Sequence, residues 1–228
     1  MNHMKYTEPY VPPTLTVDAV VFQLIDNVLS VLLIQRPNEP FKDNWALPGG
    51  YNAQGETTHD ALQRIVLEKA GVDLDRDLDY LEQLYTFDTV ARDPRGHAVS
   101  VTYMACGKEF NYGDGNAHAA IFPVDNLPDL AYDHKDIIAY AHDRLKAKLT
   151  YTNAVHAFLN TQFTLTELQT AYESIFGRPF DKRNFRKKFL GLDLIKETES
   201  FKREGAHRPA RLYEFKSSTL ESLSRSFD

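Results

Sequence analysis

GYNAQGETTHDALQRIVLEKAGV (residues 50–72), led in by WALPGG (45–50), is the stretch that decides the fold. Thr57 with Asp60 forms a capping-box pattern and Gly71 is a natural stop, so the spacing predicts a helix over 57–70 between two loops. Ala61, Leu62, Ile65, Val66 and Lys69 fall on one stripe of that helix. Outward from it the chain alternates strands and helices. Residues 15–24 and 29–35 are β-branched or apolar runs split by Asp26-Asn27, a hairpin signal. Residues 81–87, 99–106 and 119–124 read as further strands, and 133–149 as a second long helix. A mixed sheet with helices packed on it follows, an α/β architecture.

The chain has 228 residues, 43% hydrophobic and 25% charged, which excludes collagen-like, low-complexity and disordered classes. No apolar run approaches the roughly 20 residues of a membrane span, and the start lacks a signal-peptide core, so a cytoplasmic protein with no membrane partner is expected. The single cysteine, Cys106, cannot pair within the chain, and no CxxC pair offers a zinc site. Charge is uneven. Residues 1–150 hold 13 Lys/Arg against 22 Asp/Glu, or −9, whereas 151–228 hold 13 against 10, or +3. Within 178–216 the count is 12 against 6, a +6 segment that points to a polyanionic partner for the second half.

That second half has its own pattern. Residues 153–159 make a short helix. Thr164 to Glu167 is a capping box, with Phe163 as a hydrophobic staple, opening a helix whose Leu165, Leu168, Tyr172 and Ile175 face inward up to Gly177. After Arg178-Pro179 a further helix begins at Asp181, with Phe185, Phe189 and Leu190 expected inside. Its other face carries Lys182, Arg183, Arg186 and Lys187. Two short strands, 192–198 and 211–215, flank a basic loop with Gly205 and Pro209. Helices joined by a tight turn and closed by a basic hairpin describe an α+β winged helix-turn-helix. The expected division is a sensing domain over 1–150 and a DNA-binding domain over 151–228.

The decisive stretch resembles the Nudix box, Gly-x5-Glu-x7-Arg-Glu-aliphatic-x-Glu-Glu-x-Gly-aliphatic. Gly50, Glu56, Arg64, Val66, Glu68, Gly71 and Val72 match seven of its nine defined positions. The resemblance implies a Nudix α/β/α sandwich that binds a nucleoside diphosphate linked to another group. The family carries glutamates where this chain has Ile65 and Lys69. With one turn between them, 65, 68 and 69 share a helix face. There the family's three negative charges become none: Ile65 is neutral, and Lys69 cancels Glu68. Magnesium needs hard carboxylate oxygens, whereas an ammonium meets a pyrophosphate directly. No metal site, no required cofactor, no catalytic residue and no enzymatic activity are therefore expected, while ligand binding persists.

Tyr85-Thr-Phe87-Asp, Arg92-Asp-Pro-Arg95-Gly and Val99 to Tyr103 resemble the corresponding stretch in Nudix proteins that handle ADP-ribose and in the Nudix-related transcriptional regulators of NAD metabolism. The implied ligand set is Arg36, Gly50, Glu56, Arg64, Glu68, Lys69, Tyr85, Phe87, Arg92 and Arg95. The aromatics would flank a base or ribose and the arginines fork onto phosphate. The eight histidines show no ligand spacing and read as surface or core. In the basic module, Lys182, Arg183, Asn184, Arg186 and Lys187 are candidates for the DNA-reading helix, and Lys202, Arg203, Arg208 and Arg211 suit backbone contact from the wing.

Together the two halves resemble those regulators along essentially the whole chain. The resemblance implies a homodimeric repressor of NAD-biosynthesis or salvage genes that reads a palindromic double-stranded DNA operator, with ADP-ribose as the effector that releases it. Two other classes are open: an active, metal-dependent Nudix ADP-ribose pyrophosphatase, and a non-enzymatic scaffold whose winged helix binds protein.

Overall fold

Asp26 and Asn27 both adopt left-handed φ, 47° and 64°, and join the two long strands that organise the first domain. The computed structural model describes residues 11–203, 209–217 and 219–223. These strands are β1 (Thr14–Ile25) and β2 (Val28–Gln35), followed by the short β3 (Trp45–Ala46) and β4 (Gly49–Tyr51). Helix α1 (Thr58–Ala70) has the full capping box at Thr57 and Asp60, and ends on Gly71 at φ 77°, where a side chain would be strained. A single turn, α2 (Leu74–Asp77), leads into β5 (Tyr80–Phe87), β6 (Ala98–Cys106) and β7 (Ala119–Pro123). The long helix α3 (His134–Tyr151) closes the domain.

The strand order is β3-β2-β1-β6-β5, with β4 added to β1 and β7 to β2. β1 runs parallel to β6 and antiparallel to β2 and β4, so the sheet is mixed. Alternation along β1 sorts the two layers. Val20 and Phe22 pack with Ile137, Ile138, Ala141 and Leu145 of α3. Ala19 and Val21 pack with Leu62, Val66 and Ala70 of α1. The result is a helix–sheet–helix sandwich.

Beyond Tyr151 a 3₁₀ turn (Ala154–Phe158) and β8 (Phe163–Thr164) lead into α4 (Leu165–Phe176), α5 (Lys182–Leu190), β9 (Ile195–Lys202) and β10 (Ala210–Phe215). The three strands form one sheet in the order β8-β10-β9. Phe185 and Phe189, one helical turn apart, are buried against Tyr172. Each such burial contributes about 1.5–3 kcal/mol. Leu190, expected inside, is 45% exposed. It lies about 100° around the helix from Phe189, off the narrow apolar stripe. The strand expected at 192–198 starts later, at Ile195, because Leu192 and Asp193 form a turn with Asp193 at φ 59°. The apolar core that includes α3 continues through Leu149, Val155 and Phe158 into Leu168, Tyr172 and Ile175 of α4.

Candidate ligand cavity and nucleic-acid interface

Lys69 is where the altered motif becomes geometry. Its ammonium donates to the Gly49 carbonyl at 2.5 Å, at the edge of a cavity of about 550 Å³. β1 supplies Asp18, β4 supplies Gly50 and Tyr51, α1 supplies Arg64 and Lys69, and the β5–β6 loop supplies Arg92 and Arg95. Arg36 enters from the end of β2. Five cationic side chains thus line one space. Burial, with Arg36 nearby, lowers the Lys69 ammonium below its ordinary range. Gly49 must be glycine, since a Cβ there would overlap the Asp18 carboxylate.

The two box glutamates that remain are committed elsewhere. Arg64 grips Glu56 through Nε–Oε1 at 2.6 Å and Nη2–Oε2 at 2.7 Å, and lies 3.7 Å from Glu68. Arg64, with the Ala53 backbone amide, holds the Glu56 carboxyl down at about 2. Neither Glu56 nor Glu68, both expected in the ligand set, lines the cavity. The shared face expected for 65, 68 and 69 also divides. Ile65 is buried with Val17 and Ala61, Glu68 points to solvent, and only Lys69 reaches the cavity. A divalent cation does not fit: one would-be ligand is a hydrocarbon, one is an ammonium, and the carboxylates that remain are neutralised by Arg64. Among the described residues, no three His, Cys, Asp or Glu side chains gather as a metal site.

The cavity floor is a buried polar knot that spacing gave no reason to expect. The Ser100 hydroxyl donates to Asp18 at 2.5 Å, while Arg92 Nη2 lies 3.5 Å and His134 Nε2 3.8 Å from the same carboxylate. His134 Nδ1 accepts the Leu47 amide at 2.9 Å, which leaves the proton of the neutral ring on Nε2. Burial keeps this imidazole below its ordinary pKa. Arg92 is forked onto Asp133 at 2.9 and 2.8 Å, and its side chain is 5% exposed. Expected as a fork for phosphate, it is already a fork for two carboxylates of its own chain. One of these, Asp133, is the residue preceding α3.

Aromatic–cation contacts build the mouth. Arg36 lies over Tyr132 at 4.8 Å, and Arg95 lies between Tyr51 at 5.6 Å and Tyr132 at 6.0 Å. Arg95 is half-exposed and also forks onto Asp93 at 3.0 and 2.7 Å. Tyr132 holds a left-handed φ of 56°, sparsely populated by bulky residues, and Phe41 packs edge-on against it at 4.9 Å. The aromatics expected here, Tyr85 and Phe87, are absent from the mouth. They cluster with Tyr140 of α3 at 5.3 and 5.7 Å. A register shift in β5 between Gln83 and Tyr85 interrupts the simple alternation of this strand.

On α5 the Asp181 carboxylate caps the helix by accepting from the Asn184 amide at 2.8 Å. Lys182, Arg183, Asn184 and Lys187 are exposed on the outer face. Arg186 is partly withdrawn and donates to Thr166 at 3.1 Å. From the wing, Lys202 pairs with Glu167 at 2.7 Å, whereas Arg211 pairs with Glu197 at 2.8 Å and lies over Phe201 at 5.1 Å. Arg203 is exposed, and Arg208 lies outside the described residues. Among the described residues no helix is long and apolar enough to cross a membrane.

Comparison with known proteins matches this geometry in both halves. Residues 14–141 match the NUDIX domain, and 155–215 match the NrtR DNA-binding winged helix domain. The ADPR responsive transcriptional repressor NtrR of Acinetobacter baylyi is 36% identical over 214 residues, covering 90% of this chain and 83% of that protein. An ADP-ribose pyrophosphatase of Methanocaldococcus jannaschii is 37% identical over 132 residues, 57% of this chain and 73% of that one. The crystal structure of Shewanella oneidensis NrtR complexed with a 27mer DNA superposes with a TM-score of 0.79 at 34% identity, covering 94% of this chain and 99% of that one. The NUDIX domain of the same Shewanella protein, complexed with ADP ribose, gives 0.54 at 34% identity over 61% of this chain and 94% of that one. With a Nudix domain whose box has exchanged two glutamates for Ile65 and Lys69, and a winged helix of the NrtR type behind it, this chain belongs to the NrtR family of Nudix-related regulators.

Proposed function

We propose that this chain is a DNA-binding transcriptional repressor controlled by ADP-ribose, which binds the Nudix cavity without being hydrolysed and releases the operator. The observation that carries the reading is Lys69 on the Gly49 carbonyl: a fixed cation stands where an enzyme of this fold places a carboxylate. A diphosphate lying across Lys69 and Arg64 would gain charge-assisted hydrogen bonds. The Arg36, Tyr132, Arg95 and Tyr51 mouth offers flat faces to a base. Domain limits at 1–150 and 151–228 are supported by α3, the last element of the sandwich, which ends at Tyr151. Two copies related by a two-fold axis would present two α5 helices to a palindromic operator, in the cytoplasm where DNA and NAD-derived nucleotides meet. The effector acts by binding more tightly to the dimer geometry that misplaces those helices.

Fluorescence polarisation of the full chain on duplex DNA from upstream of its own operon, with and without ADP-ribose, tests this. Tight binding relieved by ADP-ribose is expected; binding that ignores it would remove the effector from the reading. The retained Glu56, Arg64 and Glu68, with the pyrophosphatase relative, favour a second reading as a metal-dependent ADP-ribose hydrolase. That reading expects AMP and ribose 5-phosphate on addition of magnesium. None is expected here.

A further inference from the structure

We propose that α3 is the strut that carries cavity occupancy to the DNA-reading helix, with the His142 imidazole on the Ile175 carbonyl as its joint. The inference rests on the repressor reading above and names the device by which that regulation works.

The two ends of α3 belong to the two functions. At its start, Asp133 is forked by the buried Arg92, Tyr132 is held at positive φ under Arg36, and His134 is tied to the Leu47 amide. All three attachments are walls or supports of the cavity, so a ligand that draws on Arg36, Arg92 or Arg95 shifts the point from which α3 begins. A helix is stiff over this length, and His142 lies about 12 Å further along the axis. Its Nε2–H donates to the Ile175 carbonyl at 2.7 Å. Deeper in the seam, the Tyr172 hydroxyl donates to the Leu149 carbonyl at 3.3 Å.

The neighbouring residue of α4 is fastened to a different element. Ser174 Oγ, 2.8 Å from the Thr170 carbonyl of its own helix, lies closer, at 2.5 Å, to the carbonyl of Asn27 in the β1–β2 turn, which contributes nothing to the ligand cavity. Adjacent residues of one helix are thus held by the turn on one side and by the strut on the other. Moving α3 relative to the turn rotates α4 about 174–175, and Gly177 at φ 66° with the short segment after it passes that rotation to α5. Packed helices settle into discrete arrangements rather than deforming continuously, so a small displacement at the cavity becomes a change of docking angle.

The test measures coupling in the full chain on the same duplex, with ADP-ribose affinity measured separately by calorimetry. Couplings of this kind run from ~5-fold to ~150-fold, and in His142→Leu the ADP-ribose effect on DNA affinity should fall to below ~2-fold. Both individual affinities should stay near wild type, because His142 touches neither ligand. His142→Gln, which returns a donor near the position of Nε2, should restore most of the coupling. A purely packing role would not be rescued in this way. Equal coupling in wild type and His142→Leu overturns the strut while leaving the repressor reading intact; a wild-type chain indifferent to ADP-ribose overturns both. Should His142→Leu fail to fold, hydrogen–deuterium exchange of the wild type decides. ADP-ribose should alter exchange in 134–149 and 172–180, and unchanged exchange in 172–180 overturns the proposal.

Discussion

The cations of the cavity and three cations of α5, Lys182, Arg183 and Lys187, are built on opposite plans. Arg64, Arg92 and Arg95 are each locked onto carboxylates of their own chain, and Lys69 onto a carbonyl. Lys182, Arg183 and Lys187 stand in solvent, with no carboxylate in ion-pair reach among the described residues. A pre-paired arginine cannot follow its ligand; it recognises one shape and loses little freedom on binding. A free lysine or arginine follows a phosphate backbone, and its gain comes from releasing counterions. Under the proposed function the same residue types would serve a selective small-molecule site and a salt-dependent polyanion surface, and the distinction lies in their partners.

Arg92 offers the sharpest way to break the comparison. If it is a structural fork, Arg92→Ala strands the buried Asp18 and the partly buried Asp133 and should cost about 3 kcal/mol of folding stability, read as a lowered Tm. A normal Tm with weakened ADP-ribose binding would return it to the role first expected of it. On the other side, Arg183→Ala with Lys187→Ala should leave Tm unchanged and weaken DNA binding about 100-fold, at about 1–3 kcal/mol per lost base contact. ADP-ribose affinity should not move, and a shallower salt dependence should accompany the loss.

Lys69→Met tests the cavity with less cost to the fold. It removes the fixed cation but keeps the unbranched apolar stem of the side chain, so ADP-ribose should bind roughly tenfold more weakly, within the range of one charge-assisted hydrogen bond. DNA affinity without effector should be unaffected. Unchanged ADP-ribose binding would place the diphosphate away from α1.

How much of this was legible from residues alone depends on how local each cause is. The capping box at Thr57, the stop at Gly71, the Asp26-Asn27 turn and the Phe185–Phe189 stripe are decided by neighbours within a turn or two, and the structure has them where spacing placed them. The cavity floor is not local. Asp18 interrupts an apolar strand and gains its meaning from Ser100, 82 residues away. His134 is one of eight histidines until Leu47, 87 residues before it, donates to its ring. Tyr85 and Phe87 were expected at the ligand by resemblance, and their packing on Tyr140 of α3 is no more local than the floor. A polar residue inside an otherwise apolar strand, as at Asp18, was the one available signal for a buried site.

Acid titration gives the smallest effect and tests the pre-pairing itself. Arg64 holds the Glu56 carboxyl at about 2, well below its value of about 4.3 in an unfolded chain. A carboxylate depressed on folding contributes stability that is complete above its unfolded pKa and lost as pH falls through its folded one. The Glu56–Arg64 contribution should thus be whole above about pH 4.5 and gone near pH 2. Glu56→Gln should flatten the fall of Tm across that window without abolishing it, because other carboxylates are lowered on folding too, Asp60 by its bonds to Thr57 and Glu214 by Lys196. Lys187→Ala should leave the same profile untouched, since no carboxylate among the described residues is in ion-pair reach of it. Equal flattening in both variants would mean that Lys187 is paired too, and the contrast between a pre-organised cavity and the solvent-facing Lys182, Arg183 and Lys187 would fail.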